Sequence, residues 1–235
     1  MKRKGIILLG GVGMTQRHLD KISNSLYPTI TAQGRVRQRP HSILQLVNVR
    51  YSFPTRFDEL RRSLDFFDGG AIIHTISGSA FFSTRALSEW RDERVKGVIL
   101  DSVPQLRLES SLMKLVGVPA PLVGPASYVA RSLLVSPLFE ATIDYTDTYS
   151  ALIRSPTTYG GAKVMFAHSL EDEVVPHVQF KDFLADVGRT DGWGKSGYTV
   201  YEGVGKHAAM ARDDAGFKEA VKHFVKSCDG FQHEE

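Results

Sequence analysis

Short apolar runs alternate along the chain with segments whose apolar residues recur at helical spacing. The runs predict strands at Ile6–Leu9, Ile43–Val49, Ala71–Ile76, Val95–Leu100, Lys163–Ala167 and Tyr198–Tyr201. The segments between them predict helices from near Thr15 to Pro28, Phe57 to Phe67, Phe81 to Trp90, Pro176 to Val187 and Asp213 to Lys226. Repeated strand and helix units favour an α/β fold with a mainly parallel sheet covered by helices on both faces.

The alternation is interrupted between about residue 105 and residue 160. This stretch combines proline-rich loops with short apolar segments and is longer than an ordinary connection. We interpret it as a helical lid insertion within a single domain that spans residues 1–235. Part of it, Leu115–Val135, is apolar enough to suggest a membrane span, but its three prolines disfavour a continuous helix and predict no stable span.

Composition narrows the setting of this domain. With 235 residues, 42% of them hydrophobic, the chain can bury one sizeable core. Its only cysteine, Cys228, excludes an internal disulfide framework and fits a reducing compartment. The N-terminal lysines and arginine precede an apolar run but no small-residue cleavage site, so we expect the run to be the first strand and the protein to be cytoplasmic.

A cluster of arginines between Arg35 and Arg62 is the main local concentration of charge in a chain whose formal net charge is +3. No aromatic residues interleave with the cluster in the way that single-stranded nucleic acids require. We interpret it as a solvated face of a helix and its flanking loops, and we expect no nucleic-acid partner.

Candidate chemistry begins at Ser77, where an apolar strand should end and a helix should begin. A sharp turn between strand and helix exposes a serine hydroxyl and frees the next backbone N–H to stabilise an oxyanion. Such turns usually carry glycine two residues before and after the serine, whereas this chain has Thr75 and Ser79. Ser79 is small enough to be tolerated, and its hydroxyl could face the pocket.

The order of three residues along the chain strengthens this interpretation. Ser77, Asp172 and His207 follow the order nucleophile, acid, histidine that α/β-hydrolases use, and each comes at the end of a predicted strand. Asp101, at another strand end, is a further candidate for the acid.

Several of these positions also have a structural interpretation. Asp172 could instead cap the helix predicted near Pro176, and its neighbours Glu171 and Glu173 could take the orienting role. His74 is better explained as a packed strand histidine than as a catalytic residue.

Other motifs fail, so we expect neither a cofactor nor a metal. Gly11 and Gly13 follow a strand, but a dinucleotide fingerprint requires a third glycine where Gln16 stands. The histidines His168, His177 and His223 lack ligand spacing with Asp, Glu or Cys.

Five segments together resemble a poorly characterised α/β-hydrolase family that includes eukaryotic transmembrane protein 53 and the fungal indole-diterpene biosynthesis protein PaxU. They are Gly10–Gly13 with Leu19–Lys21, His74–Gly78, Val98–Pro104, Asp172–Pro176 and His207. In that family the nucleophile region reads approximately His-Ser-Phe-Ser-Asn-Gly-Gly, so Ser77 matches its second serine and the absent preceding glycine is a family trait. Ser79 replaces a usual glycine, and Val12 replaces a usual tryptophan.

Motif and resemblance together imply acyl transfer by a serine hydrolase, of esterase or thioesterase type, on a fairly apolar small-molecule or acyl substrate. Gly78, with Val12 or Gly13, would supply the N–H groups of the oxyanion hole. The resemblance also implies a role in fungal secondary metabolism. Two alternatives stay open, a non-hydrolytic cyclase, lyase or isomerase and an inactive binding or scaffold protein, and so does a homodimer.

Overall fold

A computed structural model of the chain describes residues 3–11, 14–28, 35–38, 49–103, 118–134, 148–193 and 197–228. Its strands are β1 (Lys4–Leu9), β2 (Arg35–Gln38), β3 (Gly70–Ile76), β4 (Val95–Asp101), β5 (Lys163–Ser169) and β6 (Tyr198–Gly203). Its α-helices are α1 (Gln16–Leu26), α2 (Val49–Phe66), α3 (Ser79–Trp90), α4 (Ala120–Leu134), α5 (148–154), α6 (His177–Arg189), α7 (Met210–Asp213) and α8 (Ala215–Ser227), with a 3-10 helix at Pro156–Tyr159.

The six described strands form one parallel sheet in the order β2-β1-β3-β4-β5-β6. Helices cover both faces, because successive residues of the strands point to opposite sides and both sets are apolar. On β1, Ile7 and Leu9 pack into a core with α2, α3 and α6, whereas Ile6 and Leu8 pack into a second core with α1 and α8. The predicted parallel α/β architecture is confirmed.

Five of the six predicted strands overlap a strand of the sheet. The exception is Ile43–Val49, of which residues 43–48 lie outside the described residues and Val49 begins α2, eight residues before the predicted helix start. The strand that pairs with β1 at the sheet edge is β2, whose sequence Arg-Val-Arg-Gln has a single apolar residue. An edge strand needs no continuous apolar run, so the hydrophobic pattern gave no signal there.

The predicted lid region is described in part, as α4, α5 and the 3-10 helix. Its assignment as a lid stays a prediction. In the described ranges, no helix combines the length and the apolar character needed to cross a bilayer.

Candidate active site

Ser77 occupies a sharp turn between β3 and α3. Its φ is +54°, a left-handed conformation that costs a non-glycine residue about 1–2 kcal/mol. The Ser77 N–H donates to the Asp101 carbonyl at 2.8 Å, which ties the turn to the end of the adjacent strand β4. Helix α3 begins two residues later, with Gly78 as its N-cap. This is the geometry of a nucleophile elbow.

The residues two positions from Ser77 on either side are both buried and hydrogen-bonded. The Ser79 Oγ lies 2.8 Å from the Ile76 carbonyl and 3.0 Å from the Leu9 carbonyl, and it accepts from the Ile76 N–H at 3.2 Å. Thr75 donates to Ser83 Oγ at 3.0 Å. The expectation that the Ser79 hydroxyl could face the pocket is therefore wrong, because the hydroxyl links the elbow to the end of β1.

Ser77, His207 and Asp172 form a continuous chain of hydrogen bonds. The distance from Ser77 Oγ to His207 Nε2 is 2.7 Å, and that from His207 Nδ1 to Asp172 Oδ2 is 2.8 Å. A carboxylate can only accept, so Nδ1 carries the ring proton and Nε2 accepts from the serine hydroxyl. Ser77 and Asp172 are buried, whereas the His207 side chain keeps 12% of its surface exposed.

The loop after β5 fixes the Asp172 carboxylate. Its second oxygen, Oδ1, accepts from the N–H groups of Val174 and Val175, both at 2.9 Å. The alternative that Asp172 caps the next helix is wrong, because the N-cap of α6 is Pro176 and makes no side-chain capping bond. Asp172 is thus held within its own loop with one oxygen aimed at His207.

The neighbouring acids take other positions. The Glu171 carboxylate accepts from the Gly205 N–H at 3.2 Å and so joins the Asp172 loop to the loop that carries His207. Glu173 is exposed. The same two loops are also joined by a bond from the Leu170 N–H to the Gly203 carbonyl at 2.9 Å and by one from Ser169 Oγ to the Gly205 carbonyl.

Asp101 lies buried at the end of β4 and contacts other partners than His207. Its Oδ1 accepts from Ser102 Oγ at 2.9 Å, and its Oδ2 lies 3.7 Å from His74 Nε2. Both ring nitrogens of His207 are engaged by Ser77 and Asp172. Asp101, the alternative acid, is therefore not the hydrogen-bond partner of this histidine.

His74 is fully buried in β3, where the sequence interpretation placed it as a packed histidine. Its Nδ1 lies 2.7 Å from the Tyr27 hydroxyl. Burial, with a further contribution from the charge of Asp101, raises the pKa of Tyr27 well above its ordinary value. Tyr27 is thus a protonated donor to His74, and His74 in turn lies beside Asp101 at the end of β4.

Ser102 helps to hold the loop that carries His207, a role that the sequence did not indicate. It has a φ of +59° and accepts from the Ala208 N–H at 2.9 Å while donating to Asp101. Ala208 follows His207 and is itself left-handed, with a φ of +56°. Ser102 therefore anchors the histidine loop to the end of β4. Its position after a strand-terminal aspartate was the available signal, but nothing in the sequence indicated the partner.

The structure describes part of the predicted oxyanion hole. Among the described residues the Gly78 N–H has no acceptor, which leaves it available at the first turn of α3. A Cβ on Gly11 would lie 2.9 Å from the Cβ of Ser77, so the backbone after β1 passes directly beside the serine. Val12 and Gly13, the other two predicted contributors, lie outside the described residues.

The described residues include no group of three or more His, Cys, Asp or Glu side chains placed to hold a metal ion.

The chain is similar to solved structures of esterases, a lipase and a thioesterase domain. An esterase of Pyrococcus furiosus matches with a TM-score of 0.58 at 12% identity, covering 94% of this chain and 81% of the esterase. A monoacylglycerol lipase of Paleococcus ferrophilus matches with a TM-score of 0.54 at 14% identity, covering 94% of each chain. The thioesterase domain of the curacin biosynthetic pathway matches with a TM-score of 0.52 at 13% identity, covering 93% of this chain and 90% of the domain. No family model and no curated protein matches the sequence.

At these identities the likeness establishes the fold. The chain has an α/β-hydrolase fold, as predicted. The same fold supports many unrelated functions, so the function is argued from the site.

Proposed function

We propose that this protein is a serine hydrolase of esterase or thioesterase type, with Ser77 as nucleophile, His207 as general base and acid, and Asp172 as the acid that orients the histidine. The observation that carries the proposal is the hydrogen-bond chain from a left-handed Ser77 through both nitrogens of His207 to Asp172. A structural serine at a helix start needs neither the strained backbone nor a histidine fixed by a buried carboxylate.

In acylation, His207 Nε2 takes the hydroxyl proton as Ser77 Oγ bonds to the substrate carbonyl carbon. The Gly78 N–H, with an N–H from Val12 or Gly13, stabilises the oxyanion. His207 then gives the proton to the departing alkoxide or thiolate, and an acyl-enzyme on Ser77 remains.

In deacylation, His207 takes a proton from water as that water attacks the acyl carbon. Collapse of the second tetrahedral intermediate returns the proton to Ser77 Oγ and releases the carboxylic acid. Throughout, Asp172 holds the imidazole in one tautomer and stabilises its protonated form.

Fluorophosphonate labelling tests this proposal. We expect the wild-type protein to be labelled covalently at Ser77 and Ser77→Ala not to be labelled. The turnover of p-nitrophenyl butyrate by Ser77→Ala should fall by at least about a thousandfold. Ser88→Ala is the matched control, because Ser88 lies on α3 and its hydroxyl bond among the described residues is local, to the Arg85 carbonyl at 2.7 Å. Labelling that persists in Ser77→Ala would show that Ser77 is not the nucleophile.

The test also separates the other function classes. Covalent labelling at Ser77 without turnover of any ester would favour a non-hydrolytic enzyme. The product of such an enzyme, formed in isotope-labelled water, would contain no oxygen from that water. Absence of both label and turnover would favour a binding protein. Placement in the family of transmembrane protein 53 and PaxU, and a role in fungal secondary metabolism, are proposals supported by the shared motifs around Ser77 and Asp172.

A further inference from the structure

A cleft of about 690 Å³ opens beside His207, between α1 and the segment that runs from Lys206 into α8. Its lining includes His207 and Ala208 on one side and Met14 on the other. Met14 also accepts the Gly11 N–H through its sulfur at 3.2 Å, so the cleft adjoins the backbone beside Ser77. Its volume suits a ligand of cofactor size.

The charged side chains that the structure describes in the lining are basic. Four of them carry a permanent positive charge, namely Lys21, Lys206, Arg212 and Lys218, and the described residues of the lining include no aspartate or glutamate. They come from α1, the loop after β6, α7 and α8, so the folded structure gathers them from separate parts of the chain.

Most of this charge has no carboxylate partner among the described residues. Arg212 is paired with Asp213. For Lys21, Lys206 and Lys218, the described part of the chain offers no carboxylate within ion-pair distance. The acids of α8 are engaged elsewhere, since Glu219 pairs with Lys222 and Asp214, the N-cap, accepts from Tyr201 and Val204. Three unpaired lysines around one cleft form a site for an anion of several charges.

The chemistry of the proposed reaction indicates which part of a substrate lies there. His207 must donate a proton to the leaving group, so the atoms beyond the leaving oxygen or sulfur have to pass close to the imidazole. The acyl chain lies on the other side of the carbonyl carbon. A cleft lined by His207 is therefore placed for the leaving group.

We propose that the physiological substrate is an ester or thioester whose leaving alcohol or thiol bears phosphate, and that Lys21, Lys206 and Lys218 bind this phosphate. This inference rests on the proposed hydrolase function and specifies its substrate class. It narrows the fairly apolar small-molecule or acyl substrate expected from the sequence to one with an apolar acyl part and a charged leaving group. Hydrolysis consumes one water and releases the carboxylic acid and the phosphorylated alcohol or thiol.

Two matched pairs of substrates test the inference and separate two sources of the phosphate. The first pair is butyryl-coenzyme A and the neutral butyryl-N-acetylcysteamine thioester, and the second is 1-butyrylglycerol 3-phosphate and 1-butyrylglycerol. We expect the wild-type kcat/KM for the phosphorylated member of one pair to exceed that for its neutral partner at least tenfold at low salt. The preference should shrink as salt rises.

The triple variant Lys21→Gln, Lys206→Gln, Lys218→Gln should bring that ratio close to one, mainly through KM. Lys222→Gln is the control, because Lys222 lies on α8 outside the lining and pairs with Glu219. This control should keep the wild-type ratio, and thermal unfolding should show that the triple variant is folded.

The outcomes separate the two proposals. Turnover of the neutral esters without a preference for either phosphorylated partner would overturn the inference and leave the hydrolase function standing. A preference that survives the triple variant would also overturn it. Turnover of none of the four substrates, together with an unlabelled Ser77, would overturn the hydrolase function itself.

Discussion

Ser77 combines a left-handed backbone conformation with the hydroxyl that we propose as the nucleophile. Its left-handed φ is held by the hydrogen bond from its N–H to the Asp101 carbonyl and by the buried Ser79 hydroxyl at the start of α3. Because Ser79 contacts the carbonyls of both Ile76 and Leu9, it fastens the elbow to the end of β1. The residue that departs from the usual glycine is thus part of what holds the turn.

Ser79→Ala should therefore destabilise the fold although the change is small. Removal of the hydroxyl leaves two buried carbonyls and one N–H without this partner, which costs about 1–3 kcal/mol of unfolding free energy. Chemical denaturation of Ser79→Ala beside the half-buried control Ser88→Ala measures the difference. A loss no larger than that of the control would contradict the role assigned to Ser79.

His168 places a titratable ring in the core next to the site. It is fully buried at the end of β5 and stacked on Phe180, with a centroid distance of 4.4 Å. In the described part of the chain, neither of its ring nitrogens has a hydrogen-bond partner. Burial lowers the pKa of His168 to about 4, although the charge of Asp172 opposes this shift.

This histidine should make the protein lose stability as the pH falls. The unfolded chain protonates His168 near pH 6.5, whereas the folded protein keeps it neutral down to about pH 4. The unfolded state therefore binds more protons in this window, and the unfolding free energy should fall by the order of 3 kcal/mol between these limits.

His168→Phe keeps a stacked ring without a titrating group, so its unfolding free energy should vary less than that of the wild type between pH 6.5 and 4. His223→Gln, a change at an exposed histidine of α8, serves as the control. Equal slopes for wild type and His168→Phe in denaturation at several pH values would show that the core histidine is not responsible.

At the scale of elements, the site depends on loops that follow three neighbouring strands. The loops after β5 and β6 are joined by the Leu170–Gly203 and Glu171–Gly205 hydrogen bonds. Ser102, after β4, holds the Ala208 N–H. The position of His207 is thus set by loops that are far apart in sequence.

Ser102→Ala should weaken catalysis through this support. Without the hydroxyl, the Ala208 N–H loses its acceptor and the His207 loop loses its anchor to β4, so we expect kcat to fall about tenfold with KM little changed. Slower fluorophosphonate labelling of Ser77 would show the same loss without a substrate. Ser88→Ala is again the control, and an unchanged labelling rate in Ser102→Ala would contradict the positioning role.

The sequence made part of this arrangement predictable. Apolar runs such as those of β3 and β5 give a strand signal, and a reactive residue at the end of such a run is placed by the geometry of parallel sheets. β2 gave no such signal, because an edge strand needs no apolar run. Ser102 and the lysines of the cleft were missed because their roles arise from contacts between distant segments, as with Ser102 and Ala208, which are 106 positions apart.

For the whole molecule, the charge distribution matters more than the net charge. A formal charge of +3 suggests no particular partner, and the main concentration of basic residues in the sequence is the arginine cluster at residues 35–62. Lys21, Lys206 and Lys218, which have no carboxylate partner among the described residues, instead line the same cleft as His207, where the fold brings α1 and α8 together. Local fields of this kind raise the concentration of an oppositely charged ligand at the site, whatever the average charge of the protein.

The distance along the chain between Ser77 and His207 has a consequence for folding. The two residues are 130 positions apart, and β4 and β5 lie between the strands that carry them. The elbow requires only its contacts with the nearby strands β1 and β4. The imidazole, in contrast, reaches the serine only when β6 has paired at the far edge of the sheet, and such long-range contacts form slowly. The appearance of fluorophosphonate labelling at Ser77 during refolding should therefore coincide with the pairing of β6, so Ser77 can serve as a kinetic probe of sheet completion.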